Sequence, residues 1–248
     1  MVGFLDIVNL HKSFDAAHVI NGFNLSVVEG TLLCLIGPNG AGKTTTIDLI
    51  SGRLKPSSGS IRFRNAEISA LGEHEIAQRG FGRKFQIPAV FRDMTVRENL
   101  EVAFSHEAGA MRNLFKFRPT GMNARIDEVA VDVGLQDRLN MLAGILSHGE
   151  TQWLEIGMVL MQKPAVLLLD EPVAGMTEVE IEKTAKMLRG LRGNHTLIVV
   201  EHDMGFVRKI ADVVTVLHMG ALLAQGSIEE IEKDDRVRAV YLGTEDAH

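Results

Sequence analysis

Short, fully apolar runs punctuate this chain, and helical spacing fills much of the sequence between them. Leu32-Leu33-Cys34-Leu35-Ile36, Val166-Leu167-Leu168-Leu169 and Leu197-Ile198-Val199-Val200 carry no polar side chain, the pattern of strands buried on both faces of a parallel sheet. Val213 to Leu217 reads as a further strand. Ile181, Thr184, Ala185, Leu188 and Leu191 recur at helical spacing behind a Thr177/Glu180 capping-box signature, and Gly193-Asn194 stops them. Strand and helix in alternation predict an α/β fold around a mostly parallel sheet, covered on both faces.

Other stretches follow different rules. Phe4, Ile7 and Leu10, then Leu25 to Val28 ending in Glu29-Gly30, predict short strands joined by turns. After the turn-rich Lys55 to Ser60, Ile61-Arg62-Phe63-Arg64 alternates as a half-exposed strand at a sheet edge would. From about Pro88 to Pro164 the pattern is helical, with helices expected near Thr95–Phe104, Ala124–Val133 and Glu150–Met161. Ser227 with Glu230 caps a last helix running towards Tyr241. No internal repeat is visible, so one nucleotide unit is expected rather than two.

Composition narrows the classes. The 248 residues are 46% hydrophobic with six prolines, enough for one large domain or a core with a subdomain. A net charge of −6 without a dense Lys/Arg block argues against a nucleic-acid partner. The one basic and aromatic patch, Arg112 to Arg118, reads as an amphipathic piece of the helical insertion ahead of a lipid or nucleic-acid contact. Cys34 is the single cysteine, so no internal disulfide is possible, and no Cys/His spacing resembles a zinc site. The N-terminal residues do not resemble a signal peptide, and no run reaches the roughly 18 apolar residues of a membrane span. The chain is expected to be intracellular, and any bilayer crossing in its process falls to another subunit.

The chemistry is most explicit at Gly37-Pro38-Asn39-Gly40-Ala41-Gly42-Lys43-Thr44. This is the spacing of a phosphate-binding loop, and it lies between an apolar strand and a segment that can start a helix, as the motif requires. Glycines let backbone N–H groups curl around phosphate oxygens, Lys43 reaches the outer phosphates and the Thr44 hydroxyl can ligate Mg²⁺. The plainer alternative is a glycine turn with no ligand.

Asp170 and Glu171 follow an apolar strand, at the end where ligands of open parallel sheets collect. The first can hold Mg²⁺ and the second can orient or deprotonate an attacking water, against the alternative of a solvated acidic turn. His202 follows another apolar strand and is expected on the same rim, unless it merely caps the next element. Leu146-Ser147-His148-Gly149-Glu150 opens an apolar helix whose N-terminus suits an anion; a simple helix cap is the competitor.

Taken in order, the phosphate loop, Gln86, Leu146 to Glu150, Asp170-Glu171 and His202 resemble the ATP-binding subunits of ABC transporters over nearly the whole chain. The resemblance implies a P-loop NTPase core of the RecA type at 1–87 and 165–248, with an antiparallel β subdomain and an inserted helical subdomain at 88–164. It implies ATP and Mg²⁺, with Phe14 stacked on adenine, Pro38, Asn39, Ala41 and Thr45 along the phosphates, and Gln86 beside Mg²⁺ and the attacking water. His202 would contact the γ-phosphate. Ser147 to Glu150 would act in trans, on nucleotide held by a second ATP-binding subunit. Two transmembrane permease subunits and, indirectly, an extracytoplasmic solute-binding protein complete the implied assembly, at the cytoplasmic face of the cell membrane.

Within that family, Arg83 to Leu100, Pro172 to Met176 and Val240 to Gly243 resemble the branched-chain amino acid importer group. Val173 to Met176 and Trp153 to Gly157 are most similar to its urea-importing branch. His148 and Glu150 stand where glycine and glutamine are commoner, which puts an acid near a polyphosphate. Gly175-Met176 stands where many relatives carry an aspartate. The resemblance places the cleft for a permease helix near Gln86 to Met94. Two other readings stay open: a soluble ATPase of the same family working without a permease, and a regulatory module that only senses ATP.

Overall fold

Burial of the apolar runs organises the protein, seen here in a computed structural model that describes residues 3–83, 90–105 and 121–242. Gln86 and the Arg112 to Arg118 patch lie outside the described residues. The chain divides into two compact units, Met1–Phe81 with Val166–Glu171 and Arg192–His248, and Gly82–Ala165 with Pro172–Leu191.

In the first unit, β1 (Leu5–Phe14) and β2 (Ala17–Val27) form an antiparallel sheet with β4 (Ser58–Phe63) and β5 (Ala66–Glu67), in the order β2-β1-β4-β5. The expectation of short strands is corrected here, since β1 has 10 residues and β2 has 11. Their polar interruptions are absorbed by register shifts between Ile7 and Leu10 and again beyond Leu10, because a bulge lets a strand continue past a residue that breaks alternation. Nor is β4 an edge: β1 pairs along one side and the two-residue β5 along the other. Phe4, Phe63 and Phe81 meet edge to face, with ring centroids 4.9 and 4.7 Å apart, a geometry that aromatic quadrupoles favour.

The second sheet of this unit holds the predicted parallel strands. β3 (Leu32–Ile36), β7 (Val166–Asp170), β8 (Thr196–Val200) and β9 (Val213–His218) run in the order β9-β3-β8-β7, and β6 (Phe81–Arg83) begins at the unit's boundary. Every side chain of β3 and β8 is buried, which explains why both read as unbroken apolar runs. Burial also pushes the Cys34 thiol far above its ordinary pKa, so this cysteine is an inert core residue.

A strand absent from the expectations, β10 (Ala221–Gly226), returns antiparallel beside β9. The turn is Met219-Gly220, both at positive φ (48° and 75°), as a tight hairpin of matching twist requires. A Cβ at Gly220 would lie 2.3 Å from the Val19 carbonyl oxygen, so only glycine fits.

Helices α1 (Lys43–Ile50), α2 (Glu73–Gln78) and α7 (Met204–Ile210) belong to this unit. The expected last helix is instead two, α8 (Ile228–Lys233) and α9 (Asp235–Leu242). Asp234 between them is extended, and its carboxylate accepts the Arg236 backbone N–H at 2.9 Å and the Arg236 guanidinium at 2.6 Å. An aspartate that caps the next helix stops the preceding one.

The second unit holds α3 (Val96–Ser105), α4 (Met122–Asp132), α5 (His148–Leu160) and α6 (Glu178–Leu191). Leu100, Ile126, Val129, Leu154 and Ile156 are fully buried. Gly157 lets the helices approach: a Cβ there would stand 3.3–3.4 Å from Leu100, Val129 and Val133. Buried Asn99 accepts the Phe91 N–H at 2.8 Å and donates to the Phe91 and Thr95 carbonyls, which fixes the loop ahead of α3. The Trp153 indole donates to the buried Thr184 hydroxyl at 2.8 Å and so ties α5 to α6.

Candidate nucleotide site

The phosphate loop joins β3 to α1, and its shape is dictated by glycine. Gly37, Gly40 and Gly42 all have positive φ, and a Cβ at Gly37 would lie 2.1 Å from the Leu217 carbonyl oxygen. Only a backbone without side chains can take this path. Lys43 is buried, and its ammonium donates to the Gly37 carbonyl at 2.7 Å and the Pro38 carbonyl at 3.1 Å. Desolvation lowers its pKa while Glu171 and Asp170 oppose that shift, so both carboxylates lie within electrostatic reach of the lysine. Asn39, Gly40 and Thr44 are exposed, Pro38 and Thr45 half-buried, and Ala41 buried. Burial raises the phenol of Tyr241, on α9, to about 12, and the nearby Gly37 backbone works against that shift. No sequence signal tied that tyrosine to the loop.

Asp170 ends β7, and Glu171 follows it at φ 46°, a left-handed conformation that costs a residue with a Cβ about 1–2 kcal/mol. Its N–H donates to the Val200 carbonyl at 3.0 Å, which pins the strained residue to the neighbouring strand. Strain held by such a bond belongs to the kind found at working sites. The Glu171 carboxylate lies 3.3 Å from Nδ1 of His202, and both side chains are exposed. The unit therefore brings Lys43, Asp170, Glu171 and His202 together.

These groups fit a nucleotide triphosphate and its magnesium. The glycine path leaves room for phosphate against backbone amides, and the Thr44 hydroxyl with the Asp170 carboxylate supplies the hard oxygen donors that Mg²⁺ prefers. Phe14 is exposed rather than part of the core, with the Lys12 ammonium 4.8 Å from its ring centroid.

Ser147 to Glu150 lie in the second unit, at the start of α5. Ser147 is the N-cap: its hydroxyl accepts the Glu150 N–H at 3.2 Å, and the Glu150 carboxylate accepts the Ser147 N–H at 2.9 Å. The helix-cap reading of these residues is thus correct as local structure, whatever else they do. Glu150 also meets Arg138 at 3.2 Å, so the acid that departs from the commoner signature is neutralised within its own unit.

The other two departures meet each other. Nε2 of His148 lies 3.1 Å from the Ala174 carbonyl, and a Cβ on Gly175 would come to 3.3 Å from the same nitrogen. The histidine fills space that glycine leaves. Glu180, visible in the sequence only as a helix cap, reaches Ser147: the Ser147 hydroxyl donates to its carboxylate at 2.9 Å.

Comparison with known proteins agrees with this geometry. Residues 20–174 match the family model of the ABC transporter. The high-affinity branched-chain amino acid transport ATP-binding protein BraF of Pseudomonas aeruginosa is 37% identical, across 96% of this chain and 97% of its own. LivG of Salmonella typhimurium, of the same description, is 36% identical over the same shares. The lipopolysaccharide export system ATP-binding protein LptB of Acidithiobacillus ferridurans is 32% identical over 98% of each chain. A crystal structure of an ATP-binding cassette of an ABC transporter in its ADP conformation superposes with a TM-score of 0.84 at 28% identity, covering 98% of this chain and 100% of the other. With its glycine-shaped loop, its paired acid and histidine and full-length relatives of this kind, the chain belongs to the ATP-binding, ATP-hydrolysing cassettes of the ABC transporter family.

Proposed function

We propose that this chain powers an importer of branched-chain amino acids, by closing on a second cassette subunit when ATP is bound and opening after hydrolysis. The observation that carries the reading is the joining of Lys43, Asp170, Glu171 and His202 at the ends of parallel strands, in a chain whose full-length relatives at 36–37% identity are named for branched-chain amino acid transport. The urea branch rests on the Val173–Met176 and Trp153–Gly157 resemblance alone, so amino acids are the first choice of cargo.

In the proposed cycle the loop holds the β- and γ-phosphates of one ATP, and Ser147 with the Gly149 amide meets the γ-phosphate held by the other subunit. Glu171 orients the attacking water and accepts its proton, while Lys43 and His202 stabilise charge on the transferring phosphoryl group. Thr44 and Asp170 would hold Mg²⁺, which would supply further neutralisation of the phosphates. Because a ligand shifts an equilibrium only by its differential affinity, ATP favours the closed pair and ADP the open one.

No helix among the described residues is long and apolar enough to cross a membrane, so in this reading the chain sits at the cytoplasmic face, held by two permease subunits. A solute-binding protein outside delivers the cargo. Phe91, Met94, Leu142 and Ile145 are exposed in the second unit. They are linked by Ala143 N–H to Met94 carbonyl and Gly144 N–H to Arg92 carbonyl hydrogen bonds, and this apolar group supports permease docking near Met94.

The test is reconstitution with the permease subunits and measurement of ATP-driven uptake of labelled leucine and labelled urea. Leucine uptake is expected. Uptake of urea alone moves the cargo to the other branch, and normal ATP turnover with uptake of neither favours a cassette that works without a permease.

A further inference from the structure

We propose that Glu180 is an internal anion that latches the signature turn: its carboxylate engages the Ser147 hydroxyl and lies over Gly149, where a γ-phosphate would find its donors, and ATP-driven closure must displace it. This rests on the reading that Ser147 to Glu150 meet phosphate from a second subunit.

The geometry is specific. One carboxylate oxygen of Glu180 is anchored at home, accepting the Thr177 N–H at 3.0 Å and the Thr177 hydroxyl at 2.9 Å. That leaves the other oxygen to reach Ser147, 33 residues earlier in the chain, at 2.9 Å. A hydroxyl has one proton to give. Ser147 spends it on Glu180 while accepting from the Glu150 N–H, so it cannot donate to phosphate until the contact breaks. The Gly149 backbone faces the same carboxylate and helps to hold its pKa down. A Cβ on Gly149 would come to 2.6 Å from that carboxyl group, so glycine is what allows the acid to lie over the start of α5.

A carboxylate and a phosphate are both acceptor-only anions, and at one pair of donors they repel. The Thr177 N–H, then the Ser147 and Thr177 hydroxyls, hold the Glu180 carboxyl at about 2, so it stays charged throughout the neutral range. The latch therefore acts at every physiological pH. Its consequence is a threshold: closure requires more ATP than it would without the competitor, and the open state regains Glu180 as a replacement ligand when the phosphate leaves.

The test measures ATP-dependent association in the Glu171→Gln background, which should slow hydrolysis. The full chain, with Mg²⁺, is followed by sedimentation both alone and with the second cassette subunit of its transporter. Glu180→Gln removes the charge but leaves a side chain that can still cap the helix. Glu180→Asp keeps charge and cap but is too short to hold Ser147 as well.

Both variants are expected to lower the ATP concentration for half-association, Glu180→Gln by about fivefold to tenfold, since a charged acceptor holds a donor more strongly than a neutral one. A residue that only caps α6, a role both replacements can still fill, would leave ATP-dependent association at the parent value in both variants. Unchanged or weaker association in both, with the parent still pairing on ATP, overturns the latch and leaves the proposed cycle standing. If the parent shows no ATP-dependent pairing with itself or with the second subunit, the reading of Ser147 to Glu150 fails and takes the latch with it.

Discussion

The loop before α1 and the turn before α5 both end in helix N-termini suited to anions, yet the first is shaped by backbone and the second by side chains. At Gly37 to Thr44 the path is set by glycines at positive φ, one of them pressed against the Leu217 carbonyl, and the cation Lys43 folds onto the loop's own carbonyls. At Ser147 to Glu150 the donors are held in a reciprocal capping box whose Glu150 carboxylate is neutralised by Arg138, and the Ser147 hydroxyl is engaged by Glu180. A backbone cradle is rigid and tolerates almost no substitution. A side-chain arrangement is adjustable, because its bonds can be exchanged one for another at modest net cost. In the proposed cycle this difference gives nucleotide capture to the rigid half and control of closure to the exchangeable one.

Glu171→Gln breaks the first half most severely. Removing the base should cut ATP turnover about 10²–10⁴-fold, while binding of a fluorescent ATP analogue stays near the parent value and the paired state lasts longer. Near-normal turnover would take Glu171 out of the role of base. Ser147→Arg breaks the second half alone: hydrolysis should fall by at least about a hundredfold, as for loss of a transition-state donor, with nucleotide binding by the single chain intact. Loss of that binding would move the signature into its own chain's site.

A smaller effect is expected at the tie beneath the signature. Thr184→Val leaves the buried Trp153 N–H without its acceptor and should cost about 1–3 kcal/mol, seen as a melting temperature lower by several degrees. A variant as stable as the parent would show that α5 and α6 do not depend on that bond.

Much of this was legible in the sequence, for reasons specific to each element. β3, β7 and β8 announced themselves because burial on both faces leaves no room for a polar residue. The phosphate loop could be read because its geometry excludes side chains and so forces glycine at fixed positions. β10 was missed because Ala221 to Gly226 is largely half-buried or exposed and holds no β-branched or aromatic residue to mark a strand, and the break at Asp234 was missed because an aspartate inside a helical pattern carries no signal until its carboxylate finds Arg236.

The sequence by itself determined the order of elements, the phosphate loop and the carboxylates at the end of β7, since each depends on residues adjacent in the chain. Only the tertiary structure decided that Glu171 lies against His202, that His148 fills the space above Gly175, and that Glu180 reaches back to Ser147. Those are contacts between residues 26 to 33 positions apart. Neither composition nor periodicity encodes which of many acids meets which donor; packing of the sheet and of α5 against α6 makes that choice.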